Sequence, residues 1–146
     1  GSDPVVEKNR LSKNFIGMLC AEGGKGKLLD NVVSDSVSAG VSILSGATPE
    51  VYGCRINGSL KATGLLMIGS GHCSVSDVEM QSMKLGVVCS EGALGKISSI
   101  RAFHMAGAGV TVRGAGTRVD IAEGEVFGNT GAGVEVKEGG TCTIVE

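Results

Sequence analysis

The sequence predicts an all-β fold, a right-handed single-stranded parallel β-helix (a solenoid) of about six coils of 22–24 residues. Three observations carry this. Gly17, Gly40, Gly64, Gly86, Gly109 and Gly133 each open a similar tetrapeptide, GMLC, GVSI, GLLM, GVVC, GVTV and GVEV. Successive glycines are 23, 24, 22, 23 and 24 residues apart by subtraction of their positions, a period typical of solenoids. Each tetrapeptide then leads into small residues suited to a corner, such as Gly23-Gly24, Gly46-Ala47, Gly92-Ala93 and Gly139-Gly140.

The elements follow in order around one coil. Apolar, variable, apolar after each glycine is the alternation of a half-buried strand. A second apolar position recurs beyond the corner at Leu28, Val51, Val75, Ile97, Val119 and Ile144, and a third around Ile56, Met80, Ala102 and Val126. Polar or small residues return the chain to the next glycine. A leucine-rich repeat of similar period needs a helical or 3₁₀ segment and an LxxLxLxxN pattern, and neither is present. Stacking at about 4.8 Å per coil turns equivalent residues into ladders. The inward ladders of the first strand are Met18, Val41, Leu65, Val87, Val110, Val134 and Cys20, Ile43, Met67, Cys89, Val112, Val136.

The 146 residues suit one domain with its own core. Residues 17–146 hold the repeats and 1–16, including the charged DPVVEKNRLSKN, form an N-terminal cap or partial coil. Gly1-Ser2 reads as a cloning remnant. The final Thr143-Ile144-Val145-Glu146 falls partway through a coil, which reads as a fragment of a longer β-helix or an end capped by another element. With 25 glycines but only three Phe and one Tyr, the core must be built from aliphatic and sulfur-bearing side chains.

A net charge of −2 with dispersed Lys and Arg excludes the concentrated basic surface that nucleic acid requires. No apolar run of membrane-spanning length occurs. The five cysteines are odd in number and not arranged as CxxC pairs. They imply free thiols in a reducing compartment, and so an intracellular, cytoplasmic protein without metal or cofactor. Cys20 and Cys89, and Cys54 with Val78 and Ile100, fall on inward columns; Cys73 and Cys142 are expected on an outward column of the second strand.

The phrasing GVSILSGATPEV from Gly40 and FGNTGAGVEVKEGGTCTI from Phe127 resembles the right-handed β-helix repeats called CASH repeats. The resemblance covers nearly the whole chain. It implies the pectin-lyase-like fold shared by carbohydrate-binding proteins, sugar hydrolases and intracellular proteins such as F-box ubiquitin-ligase subunits. A fold shared by enzymes and scaffolds does not fix the function.

Enzymes of that fold, the resemblance implies, carry acidic and basic residues in a long groove on the solvent side of the strands. The outward column two residues after each glycine reads Leu19, Ser42, Leu66, Val88, Thr111, Glu135, and the next reads Ala21, Leu44, Ile68, Ser90, Arg113, Lys137. Glu135 beside Lys137 and Arg113 reads as a solvated ion pair. Asp30 and Asp77 share a column two coils apart, roughly 10 Å, at or just beyond the carboxyl separation of an inverting hydrolase. No aromatic groove accompanies them.

Arg55, Glu79, Arg101 and then Glu123 (or Glu125, depending on where the fifth coil takes its extra residue) alternate in sign at successive levels, a charge ladder that fixes coil register. His72, at a corner, and His104, in a return loop, lack obvious partners. The glycine pairs lack the strand-to-helix setting of a phosphate loop. No catalytic residue is assigned.

The remaining signal is the outer face of the first strand. Leu19, Leu44, Leu66, Ile68 and Val88 point outward in the first four coils, and a contiguous apolar patch implies cover. The expected function is a non-catalytic intracellular interaction module or scaffold that binds a protein partner, a second copy (as a homo-oligomer) or the remainder of a longer chain through this face. The alternative is a carbohydrate-active β-helix enzyme, a lyase or glycoside hydrolase, or a carbohydrate-binding module.

Overall fold

In a computed structural model the described residues are 2–146; Gly1, half of the expected cloning remnant, lies outside them. The chain winds three strands per coil. Coil 1 holds β1 (Val5–Glu7), β2 (Arg10–Ser12) and β3 (Ile16–Cys20), and coil 2 holds β4 (Lys27–Leu29), β5 (Val32–Ser34) and β6 (Ala39–Leu44). Coil 3 has β7 (Glu50–Tyr52), β8 (Arg55–Asn57) and β9 (Thr63–Ile68); coil 4 has β10 (His72–Ser76), β11 (Glu79–Gln81) and β12 (Leu85–Ser90). Coil 5 has β13 (Leu94–Ser98), β14 (Arg101–Phe103) and β15 (Val110–Arg113), and coil 6 has β16 (Arg118–Ala122), β17 (Glu125–Phe127) and β18 (Val134–Lys137). A further strand, β19 (Thr141–Val145), stacks on β16.

Equivalent strands pair in parallel into three sheets. Sheet A runs β1-β4-β7-β10-β13-β16-β19, sheet B β2-β5-β8-β11-β14-β17, and sheet C β3-β6-β9-β12-β15-β18. The glycine tetrapeptides form sheet C. Of the cap or partial coil expected at 1–16, residues 5–12 take the second form: they supply the first strands of sheets A and B, paired to β4 and β5.

One backbone conformation makes the corners. Between sheets A and B, Lys8, Asp30, Gly53, Asp77, Ser99 and Glu123 occupy the same place and all have positive φ. Lys13, Asp35, Gly58, Ser82, His104 and Gly128 do the same between sheets B and C. Among the described residues thirteen non-glycine residues adopt this left-handed conformation, with φ of 49–58°. Such residues usually cost energy outside glycine, least for Asp and Asn. Nine of the thirteen donate their backbone N–H to the level above; for example, Asp30 N donates to Tyr52 O and Asp77 N to Ser98 O.

Inside, the expected ladders hold. Met18 pairs with Val41, then Leu65, Val87, Val110 and Val134, and Cys20 with Ile43, Met67, Cys89, Val112 and Val136. The middle members are fully buried, whereas Val136, on the last level of sheet C, is exposed. Glycine is required at Gly17, Gly40, Gly64 and Gly109 because sheet B packs against it, and at Gly86 because the Gly109 carbonyl of the next level does. A Cβ on Gly40 would collide with Ile56 Cγ2 and come 2.8 Å from Gly64 O, and one on Gly64 would come 2.8 Å from Met80 Sδ and 3.0 Å from Gly86 O.

Gly40→Val is therefore expected to destabilise the domain by about 3 kcal/mol, the scale of overpacking combined with backbone displacement. Urea unfolding followed by circular dichroism measures it; an unchanged midpoint would contradict the close-approach account.

Candidate functional site

The outer face of sheet C is built from alternate residues of the same strands that line the core. One ladder runs Leu19, Ser42, Leu66, Val88, Thr111, Glu135. Beside it lie Leu44, Ile68 and Ser90, and at the other end Arg113 pairs with Lys137. Five expected contact residues thus share one face, but unequally. Leu19 is 57% exposed, Leu44, Leu66 and Ile68 are half-buried, and Val88 is only 4% exposed. Val88 sits mid-face between Leu66 and Thr111, so neighbours on adjacent levels cover it. It supports the face and does not project from it, a correction to its expected role.

The sequence reading missed the apolar edge of this face. Phe15 and Val37 lie in the turns from sheet B to sheet C in coils 1 and 2, and Leu60 in that of coil 3; all three are exposed. Their turns are joined level to level, with Val37 N donating to Asn14 O and Ser38 N to Phe15 O. With Leu19, Leu44, Leu66 and Ile68 they extend the apolar surface around the corner. Their signal was one large apolar residue in each otherwise polar return segment.

The charge ladder lies on the outer face of sheet B and needs two corrections. Glu125, not Glu123, pairs with Arg101 in the ladder, because the extra residue of that coil is taken earlier, in the turn 114–117 between β15 and β16. Glu123 is instead the left-handed corner residue. Arg101 Nε donates to Glu125 Oε2 at 3.0 Å and its Nη1 to Glu79 Oε2 at 2.9 Å. Arg55 stands opposite Glu79 in register, but its guanidinium turns to Asp77, with Nη2 3.9 Å from Oδ1 and Nη1 donating to Asp77 O at 3.1 Å. Glu79 is half-buried and the other groups are exposed, so each pair contributes little.

Beside Arg101 stands an aromatic stack that the sequence reading also missed. Phe103 and Phe127 lie face to face with centroids 5.0 Å apart, and Arg101 lies 5.4 Å and 5.8 Å from the two ring centres. His104 meets Phe103 edge-on at 5.2 Å. The signal was Phe103 and Phe127 lying 24 residues apart, one coil length. His72 begins strand β10 rather than occupying a corner.

Asp30 and Asp77 are the left-handed residues of their corners, with φ of 53° and 49°. Backbone conformation accounts for their recurrence, and a carboxylate is well suited to that position. The cysteines are free. Cys73 faces the core, 4% exposed, and Cys142 packs against it; both are inward, because each lies two residues before an inward position of the same strand, Val75 and Ile144, and alternation returns it to that side. Burial pushes the thiols of Cys54, Cys73 and Cys89 above the ordinary value of 9.0, Cys89 most of all. Among the described residues no group of three or more His, Cys, Asp or Glu is placed to hold a metal ion, and no helix is long and apolar enough to cross a membrane.

A family model described as a right handed beta helix region matches residues 1–146. No curated protein and no solved structure matches the chain.

The buried thiols give a pH dependence of definite sign. A thiol whose pKa is raised on folding contributes stability that is intact below its unfolded value and is lost as pH rises past it. Thermal midpoints are expected to hold level near neutrality and fall above pH 9.0, and replacing Cys54 by Ala should shallow that fall. Equal alkaline slopes in the two proteins would contradict it.

Proposed function

We propose, from the premise that the chain belongs to the right-handed β-helix family, that it is a non-catalytic interaction module or scaffold acting inside the cell. It binds a protein partner or a second copy of itself through the outer face of sheet C. The observation that carries this reading is the continuous apolar surface of Leu19, Leu44, Leu66 and Ile68, extended by Phe15, Val37 and Leu60 around one corner. Apolar residues on this scale, gathered on one side of the first coils, are the mark of an interaction surface. The charged residues Arg113, Glu135 and Lys137 limit it at the other end. Five free thiols support a reducing compartment. The CASH-repeat subtype, with its intracellular scaffold members, belongs to this proposal.

A second reading, a carbohydrate-binding module or carbohydrate-active enzyme, is favoured by the Phe103 and Phe127 stack with Arg101, Glu79 and Glu125 beside it. The exposed Phe127 ring, backed by the half-buried Phe103 and flanked by hydrogen-bonding groups, offers a platform to the apolar face of a sugar. It is the weaker reading because those polar groups already satisfy one another.

Leu66→Glu combined with Ile68→Glu should abolish association while leaving the far-ultraviolet circular dichroism unchanged. Light scattering over a concentration series in reducing buffer tests self-association, and pull-down tests a separate partner; association retained in the double variant would exclude this face. For the second reading, retardation in polysaccharide-containing gels should be lost on Phe127→Ala.

A further inference from the structure

Measured to the residues in register with Leu85, the turn from sheet B to sheet C is three residues long in coil 4 (82–84), against five in coil 3 (58–62) and four in coil 5 (104–107). With backbones stacked about 4.8 Å apart, the short turn leaves a notch between two longer ones. The notch is a cleft of about 440 Å³ lined by Leu60, Lys61, Lys84, Leu85, Ala106 and Gly107, two residues from each of three successive levels. Its sequence signature is the 22-residue interval that follows one of 24.

The walls are apolar and the rim is basic. Leu60 is 64% exposed. Leu85 lies against Gly107, where a Cβ would come 2.7 Å from Leu85 Cδ2, so the glycine makes room for the leucine. Lys61 and Lys84 are exposed, and among the described residues neither has a carboxylate at ion-pair distance, whereas Lys8, Lys27 and Lys137 do. The cleft also adjoins the apolar face, since Thr63 and Leu85 pair at the start of β9 and β12.

We propose that this cleft receives a large apolar side chain of a partner polypeptide whose neighbouring residues are aspartate or glutamate. The inference rests on the proposed interaction surface and names the chemistry of its partner. A side chain seated in a desolvated apolar notch is the usual form of an interface anchor. Two unpaired ammonium groups at the rim attract flanking carboxylates and repel a basic partner, which supplies selectivity along with some of the affinity.

The test is selection of random linear peptides displayed on phage against the 146-residue chain. Synthesis of the consensus peptide with a fluorescent label then allows anisotropy titration. Enriched peptides should place Asp or Glu next to Leu, Met or Phe. Lys61→Glu combined with Lys84→Glu should weaken the consensus peptide about tenfold, as should Leu60→Ser, and added salt should weaken the wild-type complex. Circular dichroism checks that the exposed substitutions leave the fold intact. A consensus without acidic residues, or one indifferent to the lysine reversal, overturns the proposal, as does failure to enrich any binder. A peptide lost only on Leu66→Glu with Ile68→Glu would overturn the cleft and keep the apolar face; one lost only on the lysine reversal would keep the cleft and remove the face.

Discussion

The fold depends on turning a strand within two residues, which it does by placing one residue of each tight corner in the left-handed conformation. Between sheets A and B that residue is followed by a single inward one, Asn31, Cys54, Val78 or Ile100 according to level, before the next strand begins. The same geometry at every level keeps the three sheets in register along the stack. A penalty that a globular protein meets at isolated sites recurs here at every coil. It is offset because the corner amides bond to the level above and the inward residue joins the core.

The second constraint is width. Strands of three to six residues enclose too little space for large rings, so the interior is Val, Ile, Leu, Met, Ala and Cys, and all of the few aromatic residues lie outside it. Where sheet B approaches sheet C, Cβ itself is excluded, which fixes the glycine that opens the repeats at Gly17, Gly40, Gly64 and Gly109. Packing and composition are one fact seen from two sides: the glycine and cysteine contents follow from the cross-section. Function is left to the outer columns and to the turns.

Legibility followed this division. The period, the glycine column and both inward ladders of sheet C were readable because burial enforces alternation at every level. Errors arose where spacing alone was extrapolated through a turn. Glu123 lies 22 residues beyond Arg101 and Glu125 lies 24, and the turn at 114–117, one residue longer than that at 91–93, makes this step 24. Cys73 is inward because β10 extends back to His72, so the alternation that buries Val75 also buries the residue two positions before it. Val88 was assigned to the right face, but exposure depends on neighbours above and below, which a single column does not reveal. Leu60 and Phe15 were missed because return segments were treated as polar connections, although turn length is what shapes the surface there.

Parallel stacking of equivalent strands has a kinetic consequence. Each ladder contact closes a loop of one coil, whichever two neighbouring levels it joins, so the entropy of closure is nearly the same at every step and grows only slowly with loop length. The first pair of coils must meet that cost without an existing template, whereas every later coil adds to a formed edge. Folding should therefore nucleate once and propagate along the axis, as in other quasi-one-dimensional proteins. The coils with the fullest burial, those around Met67, Met80 and Cys89, are the natural place for that nucleus.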